Sequence, residues 1–255
     1  MGKVVAVANQ KGGVGKTTTG INLAASLAKT RRRILLIDLD PQGNATVGSG
    51  VDKGKVRNSI YQVLLDQATL MEAGIVVESG FTLVPSNGDL TGAQIELIQV
   101  PGRERRLERA LRTVRDNFHY VLIDCPPALN LLTLNALVAA DTVMIPMQCE
   151  YYALEGLTAL VSTITKIRET LNPRLRIEGL LRTMFDSRNT LANEVSDQLR
   201  EHFGDKVYRT IIPRNVRLAE APSYGKPVID YDKRCAGTQA YLALAGEMLR
   251  RDQPA

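Results

Sequence analysis

Asn9-Gln10-Lys11-Gly12-Gly13-Val14-Gly15-Lys16-Thr17-Thr18-Thr19 decides the fold of this 255-residue chain. An apolar run, Val4 to Ala8, leads into it, and a helical pattern, Gly20 to Lys29, leads out. Strand, glycine-rich turn and helix N-terminus together make a phosphate cradle, because backbone N–H groups point at the anion and the helix dipole favours its charge. Lys16 is placed to reach the β- and γ-phosphates, and the Thr17 hydroxyl to sit on Mg²⁺. The ordinary P-loop, G-x-x-x-x-G-K-[ST], has its first glycine where this chain has Gln10, and a second lysine, Lys11, stands directly before Gly12-Gly13. A turn without a ligand would account for two glycines. It does not account for Gly-Gly-x-Gly-Lys-Thr set between a strand and a helix. For Lys11 the pattern alone leaves a solvated loop lysine open, since Lys16 already serves the chain's own phosphate.

Working outward, Ile21, Leu23, Ala24, Leu27 and Ala28 fall at the three-to-four spacing of a core-facing helix. Arg31-Arg32-Arg33 reads as a helix C-terminal turn, where cations suit the dipole. Ile34 to Ile37 is a continuous apolar run, as in a parallel strand buried on both faces. It ends in Asp38-Leu39-Asp40-Pro41-Gln42-Gly43-Asn44, and carboxylates at the carboxyl end of such a strand lie where α/β sheets bind ligands. Asp38 and Asp40 share a face only if the strand persists; otherwise they cap a turn. Residues 45–60 are weakly patterned and are expected to form a mobile loop. Helices are expected over Leu90–Val100 and Arg103–Asn117, the second with Arg103, Arg105, Arg106, Arg109, Arg112 and Arg115 mostly outward. Tyr120 to Asp124 is a further apolar strand ending in a carboxylate, followed by Cys125-Pro126-Pro127. Beside a phosphate cradle such an acid binds Mg²⁺ directly or through water. Strands and helices then alternate to a closing helix, Thr238–Arg251, and a frayed tail over 251–255. This alternation, with no Pro- or Ser-rich linker, predicts one doubly wound α/β domain over 1–255 with a mostly parallel sheet.

The totals are permissive. Apolar residues make up 44%, enough for a substantial core, and the net charge is +5. Residues 1–50 carry seven Lys/Arg against two Asp/Glu, whereas residues 51–150 carry nine against twelve. Basic ends around an acidic middle permit a polyanion partner without requiring one. Met1-Gly2-Lys3 runs into the first strand without a signal pattern, and Ala6 stands where myristoylation needs Ser or Thr. The charge-free stretch Cys125 to Ala140 is too short to span a bilayer and is broken by Pro126-Pro127. Cys125, Cys149 and Cys235 lack metal-type spacing and suit a reduced interior. His119 and His202 support no triad, and without Trp a base-stacking platform is not indicated.

Five stretches taken in order resemble one family across the whole chain. They are Lys11 to Thr17 (a deviant Walker A motif), Asp38 to Asn44, Asp124 to Pro127, Gln148 to Gly156, and Ile212 to Leu218. Together they resemble the ParA family of DNA-partitioning ATPases, most closely its chromosomal Soj branch. The resemblance implies a cytoplasmic, nucleoid-associated ATPase using ATP/ADP and Mg²⁺. It implies a homodimer formed face to face on ATP, which binds double-stranded DNA without sequence specificity, and a ParB-type centromere-binding protein that stimulates hydrolysis. It assigns the phosphates to Lys11, Gly12, Gly13, Val14, Gly15, Lys16, Thr17 and Thr18, with Lys11 reaching the partner subunit's nucleotide. Thr17, Asp40 and Asp124 then serve the metal, and Asp40 orients the attacking water. Met184 and Pro213-Arg214-Asn215 flank the adenine, and Arg188 and Arg217 contact DNA. A MinD-like ATPase at the membrane is the alternative. It needs a basic amphipathic C-terminal helix, whereas Ala240, Leu242, Leu244, Ala245 and Leu249 read as core packing. A metal-cluster reductase or a small-molecule ligase would need paired cysteines or a second substrate pocket, and neither is legible.

Overall fold

Eight strands pair into one sheet in the computed structural model, which describes residues 2–253. They are β1 (Lys3–Val7), β2 (Ile34–Asp38), β3 (Ile75–Val76), β4 (Thr82–Val84), β5 (Tyr120–Asp124), β6 (Thr142–Met147), β7 (Arg176–Phe185) and β8 (Val207–Pro213). Their order is β3-β4-β2-β5-β1-β6-β7-β8, and only the β3–β4 pairing is antiparallel among the described residues. The inner strands read as unbroken apolar runs because both faces are covered. Val4, Ala6, Leu35, Ile37, Val121 and Ile123 enter one core layer, and the intervening Val5, Leu36 and Leu122 enter the other. Helices Lys16–Lys29 and Ala236–Arg251 pack on the second layer through Ile21, Leu27, Tyr241, Leu244 and Met248. Helices Leu131–Ala139, Ala153–Thr170 and Thr190–Phe203 pack on the first through Leu137, Leu160, Ile164 and Leu199.

The order of strands changes direction at β1: β5 and β2 lie on one side, β6 to β8 on the other. A crevice opens at the carboxyl ends of the strands at such a reversal. Register brings the carboxylates to it, with Asp124 level with Val7 on one side and with Asp38 on the other.

Three local expectations are corrected and one open alternative is settled. Residues 45–60 are largely structured, through helix Asn44–Gly48 and a 3₁₀ turn at Lys53–Lys55, and the buried Asp38 carboxylate accepts hydrogen bonds from the Thr46 N–H and hydroxyl at 2.8 and 2.7 Å. β2 ends at Asp38, so Asp38 and Asp40 do not share a strand face. The segment Arg103–Asn117 is not one helix: α-helix covers only Arg106–Arg112, between 3₁₀ turns at Arg103–Arg105 and Arg115–Asn117. Arg115 turns inward, donating to the Gly2 carbonyl at 2.7 Å and pairing with Asp141 at 2.7 Å. Finally, the 251–255 tail is held as far as Asp252, which takes Lys3 at 2.5 Å and the Tyr120 hydroxyl at 2.7 Å. Residues 254 and 255 of that expected tail lie outside the described residues.

Candidate phosphate-binding site

The loop between β1 and helix Lys16–Lys29 turns back on itself through Gly13 at φ +72° and Gly15 at φ +83°. L-residues with a Cβ avoid that left-handed region, which is why glycines stand there. Gly15 is the N-cap, with no side chain capping the helix, so the N–H groups of its first turn remain available to an anion. Asn9 braces the entry: its amide donates to the Pro146 carbonyl at 2.8 Å, and its oxygen accepts the Lys11 N–H at 3.0 Å. Thr183 braces the exit, its hydroxyl donating to the Val14 carbonyl at 2.8 Å.

The two lysines diverge. Lys16 is buried and its ammonium donates to the Lys11 carbonyl at 3.0 Å, folded across its own loop. Burial lowers its pKa against the opposing pull of Asp124, Cys125 and Asp40. Lys11 instead points to the surface and pairs with Glu150 at 2.5 Å, both side chains about half exposed. Exposed Leu129, Tyr151 and Tyr152 stand on the segments that follow β5 and β6.

Three aspartates meet here in three different states. Asp124 is wholly buried with both carboxylate oxygens lacking a hydrogen-bond partner. Burial pushes its pKa well up, Asp38 and Asp40 add to that, and the nearby Thr17 hydroxyl and Lys16 oppose it. Two orphaned oxygens beside a lysine and a threonine fit a divalent cation, which would convert a costly buried carboxylate into a ligand. Asp38 is also buried and pushed up to about 6 by its burial, but its oxygens are taken by Thr46 and the Asp40 N–H. Asp40 gives one oxygen to the Gln42 N–H at 2.9 Å and retains the other. Among the described residues no group of three or more His, Cys, Asp or Glu could hold a metal by itself, so Thr17, Asp40 and Asp124 would share the ion with phosphate oxygens. Burial pushes the Cys125 thiol up, leaving a neutral packed side chain next to Asp124.

The remaining candidates are spread around this centre. Thr18 sits in the first helical turn, its carbonyl accepting from Asn22 at 2.8 Å. Met184 and Arg214 line a cavity of about 280 Å³ with Gln148, Glu150 and Phe185. Pro213 pairs with Phe185 across β7 and β8, and Asn215 keeps a buried side-chain oxygen without a partner. Arg188 is clamped by Asp186 at 2.9 and 2.8 Å, and Arg217 pairs with Glu220 at 2.7 Å. Neither arginine is brought into the cradle. Sequence reasoning passed over Asn9, Glu150 and Thr183; the only signal for Thr183 is a hydroxyl where a buried strand ordinarily takes valine or isoleucine.

Fold, loop and paired acids define a P-loop nucleoside triphosphatase built on a doubly wound sheet. Residues 2–177 match the model of a family described as AAA domain. The chain is 53% identical over 254 residues to the chromosome partitioning protein ParA of Caulobacter vibrioides, covering 98% of this chain and 95% of that protein. It is 52% identical over 250 residues to the sporulation initiation inhibitor protein Soj of Bacillus subtilis, covering 97% of this chain and 98% of that one. A crystal structure of cobyrinic acid a,c-diamide synthase from Mycobacterium smegmatis with bound ADP and magnesium superposes at a TM-score of 0.87, with 39% identity over 98% of this chain and 95% of that one. The chain belongs to the ParA/Soj family of chromosome-partitioning ATPases.

Proposed function

We propose that the chain is a Mg²⁺-dependent ATPase that works as a pair. Two copies close face to face on two ATP molecules, and the closed pair binds double-stranded DNA without sequence preference. Hydrolysis, stimulated by a ParB-type centromere-binding protein, releases it. The observation that carries this reading is the divergence of the two lysines. Lys16 already occupies the cradle from within, whereas Lys11 stands on the same loop with its ammonium at the surface. A cation there is suited to a phosphate held by another subunit, and a charge supplied in trans stabilises the transferred phosphoryl as an arginine finger does. Exposed Leu129, Tyr151 and Tyr152, on the segments after β5 and β6, supply the apolar and aromatic contact such a face needs.

Each residue then has a task. The Gly13, Gly15, Lys16 and Thr17 backbone binds phosphate oxygens, and the Lys16 ammonium neutralises them. Thr17, Asp40 and Asp124 would hold Mg²⁺, which supplies charge neutralisation on the β- and γ-phosphates. Asp40 directs water through the oxygen that Gln42 leaves free. Asn215 offers its unpartnered oxygen to a base, and Met184, whose sulfur accepts from the Gln148 amide at 3.1 Å, lies against the cavity that would take it. Closeness in sequence favours partitioning over the synthase activity of the Mycobacterium smegmatis protein, since the Caulobacter vibrioides protein named for partitioning is 53% identical against its 39%. The MinD-like alternative loses ground because helix Ala236–Arg251 buries Leu244, Ala245 and Met248 in the core.

Duplex DNA binding measured with ATP, with ADP and without nucleotide, with anionic liposomes in parallel, tests the reading. DNA binding with ATP alone is expected, together with a dimer by light scattering. Lys11→Ala should stay monomeric and leave DNA unbound. Equal binding with ADP and ATP, or liposome binding in place of DNA binding, would overturn the proposal.

A further inference from the structure

We propose that Thr183 is a positioning residue for the nucleotide, acting through the backbone of the cradle; the proposal rests on reading residues 9–19 as a nucleotide cradle. Thr183 lies near the end of β7, two strands away from β1, and is almost wholly buried. Its hydroxyl donates to the Val14 carbonyl at 2.8 Å. In a trans peptide the carbonyl and the following N–H point in opposite directions. Holding the Val14 carbonyl against β7 therefore fixes the direction of the Gly15 N–H, which in the proposed cradle is one of the donors to the anion. Without that clamp the Val14–Gly15 plane is freer to turn, because one of the two torsions that set it is the φ of Gly15, at +83° and on the permissive residue. A turned plane would present a carbonyl oxygen to a phosphate in place of a donor.

Two neighbouring features fit this role. The Thr183 Cβ and methyl each lie 3.9 Å from where a Gly15 Cβ would stand, so the side chain backs the loop while its hydroxyl fixes it. Met184, directly after it, is held at φ +48°, a left-handed conformation unfavourable to methionine. Such conformations persist only where the surroundings over-determine them, and they gather at ligand sites. Valine would suit a buried strand position at least as well as threonine, so the hydroxyl is what the position uses.

The test is the affinity for ADP, measured for the wild type and for Thr183→Val, Thr183→Ser and Lys16→Ala. Thermal midpoints without nucleotide are recorded alongside. Thr183→Val removes one hydrogen bond and misdirects a second to a charged group, so ADP binding is expected to weaken about tenfold or more. Thr183→Ser should bind within about threefold of wild type, since its hydroxyl restores the clamp. If Thr183→Val fails to fold, Thr183→Ala serves as the hydroxyl-free variant. Wild-type affinity in Thr183→Val with binding lost in Lys16→Ala would overturn the role of Thr183 and leave the cradle standing. Equal weakening in the serine and valine variants would overturn it too. If Lys16→Ala bound ADP like the wild type, the cradle reading would fall and take this proposal with it.

Discussion

Asp38 and Asp40 look interchangeable in Asp38-Leu39-Asp40, yet they do different work. Asp38 takes the Thr46 N–H and hydroxyl at 2.8 and 2.7 Å, and the Thr46 hydroxyl in turn accepts the Ser86 N–H at 2.8 Å. That chain fixes the start of helix Asn44–Gly48 and the loop after β4 to the end of β2. Asp40 is left with an oxygen to use. The acids were visible in sequence because strand ends in α/β sheets collect them. Their division of labour was not, since it depends on Thr46, which lies in a segment without periodicity. Thr46→Val keeps the shape, removes a donor from a buried carboxylate, and strips the Ser86 N–H of its acceptor. The Ser86 N–H left unmatched costs about 1–3 kcal/mol and the hydrogen bond lost to Asp38, which keeps its two N–H donors, about 1 kcal/mol, so a loss of roughly 2–4 kcal/mol in urea unfolding is expected. A loss below about 0.5 kcal/mol, the scale of an ordinary surface substitution, would mean that the chain does not anchor this segment.

At the scale of elements, strand β8 shows why patterning finds an element but not its fastening. Val207 to Ile212 reads as a strand, and it is one. Its register against β7 slips, however, with Leu180 opposite Val207 but Arg182 opposite Ile211. A bulge leaves backbone groups unpaired on the strand that carries the extra residues. Arg182, fully buried, donates to the Tyr208 carbonyl at 2.7 Å, and Glu247 accepts the Arg209 and Thr210 N–H groups at 2.8 Å each. A buried arginine in a strand and a buried glutamate on a core helix both contradict a polar–apolar pattern, so no periodicity could announce them. Burial pushes the Glu247 pKa up, but the Thr210 hydroxyl, the two N–H groups and Arg251 outweigh it, and the net pKa lies below the usual value. A depressed carboxylate binds protons less tightly folded than unfolded. Its stabilisation is therefore present above the unfolded pKa of about 4.3 and is lost as pH falls through the folded value. Glu247→Gln is expected to lose about 1–3 kcal/mol at pH 7, read by urea unfolding. The gap to wild type should narrow as pH drops below about 4. A gap that stays constant with pH would show that the carboxylate charge contributes nothing.

On the scale of the whole molecule, the sheet places the cradle and the two arginines expected at DNA on different segments that follow its strands, Arg217 in the short helix Val216–Glu220. The cradle follows β1 at the centre, Arg188 follows β7, and Arg217 follows β8. That layout was legible, because strand ends and loop order follow from the alternation of elements. The ion pairs that hold the arginines were not, since each depends on where a loop folds. Arg188 is held in two hydrogen bonds by Asp186, yet its side chain is 89% exposed, so little is lost when it exchanges a carboxylate for a phosphate. On the proposed reading this sets the strength and the salt dependence of DNA binding. Each phosphate neutralised adds about 0.9 to the slope of log K against log salt. A pair of subunits carries two copies of Arg188, so Arg188→Ala should flatten the slope by about 1.8 and weaken binding alike on every sequence. Asp186→Asn, by contrast, leaves both arginines in place without their competitor and should tighten binding at a given salt while keeping the slope. An unchanged slope in Arg188→Ala would remove Arg188 from the DNA surface. A flattened slope with no response to Asp186→Asn would keep it there and show that the carboxylate does not compete with the phosphate.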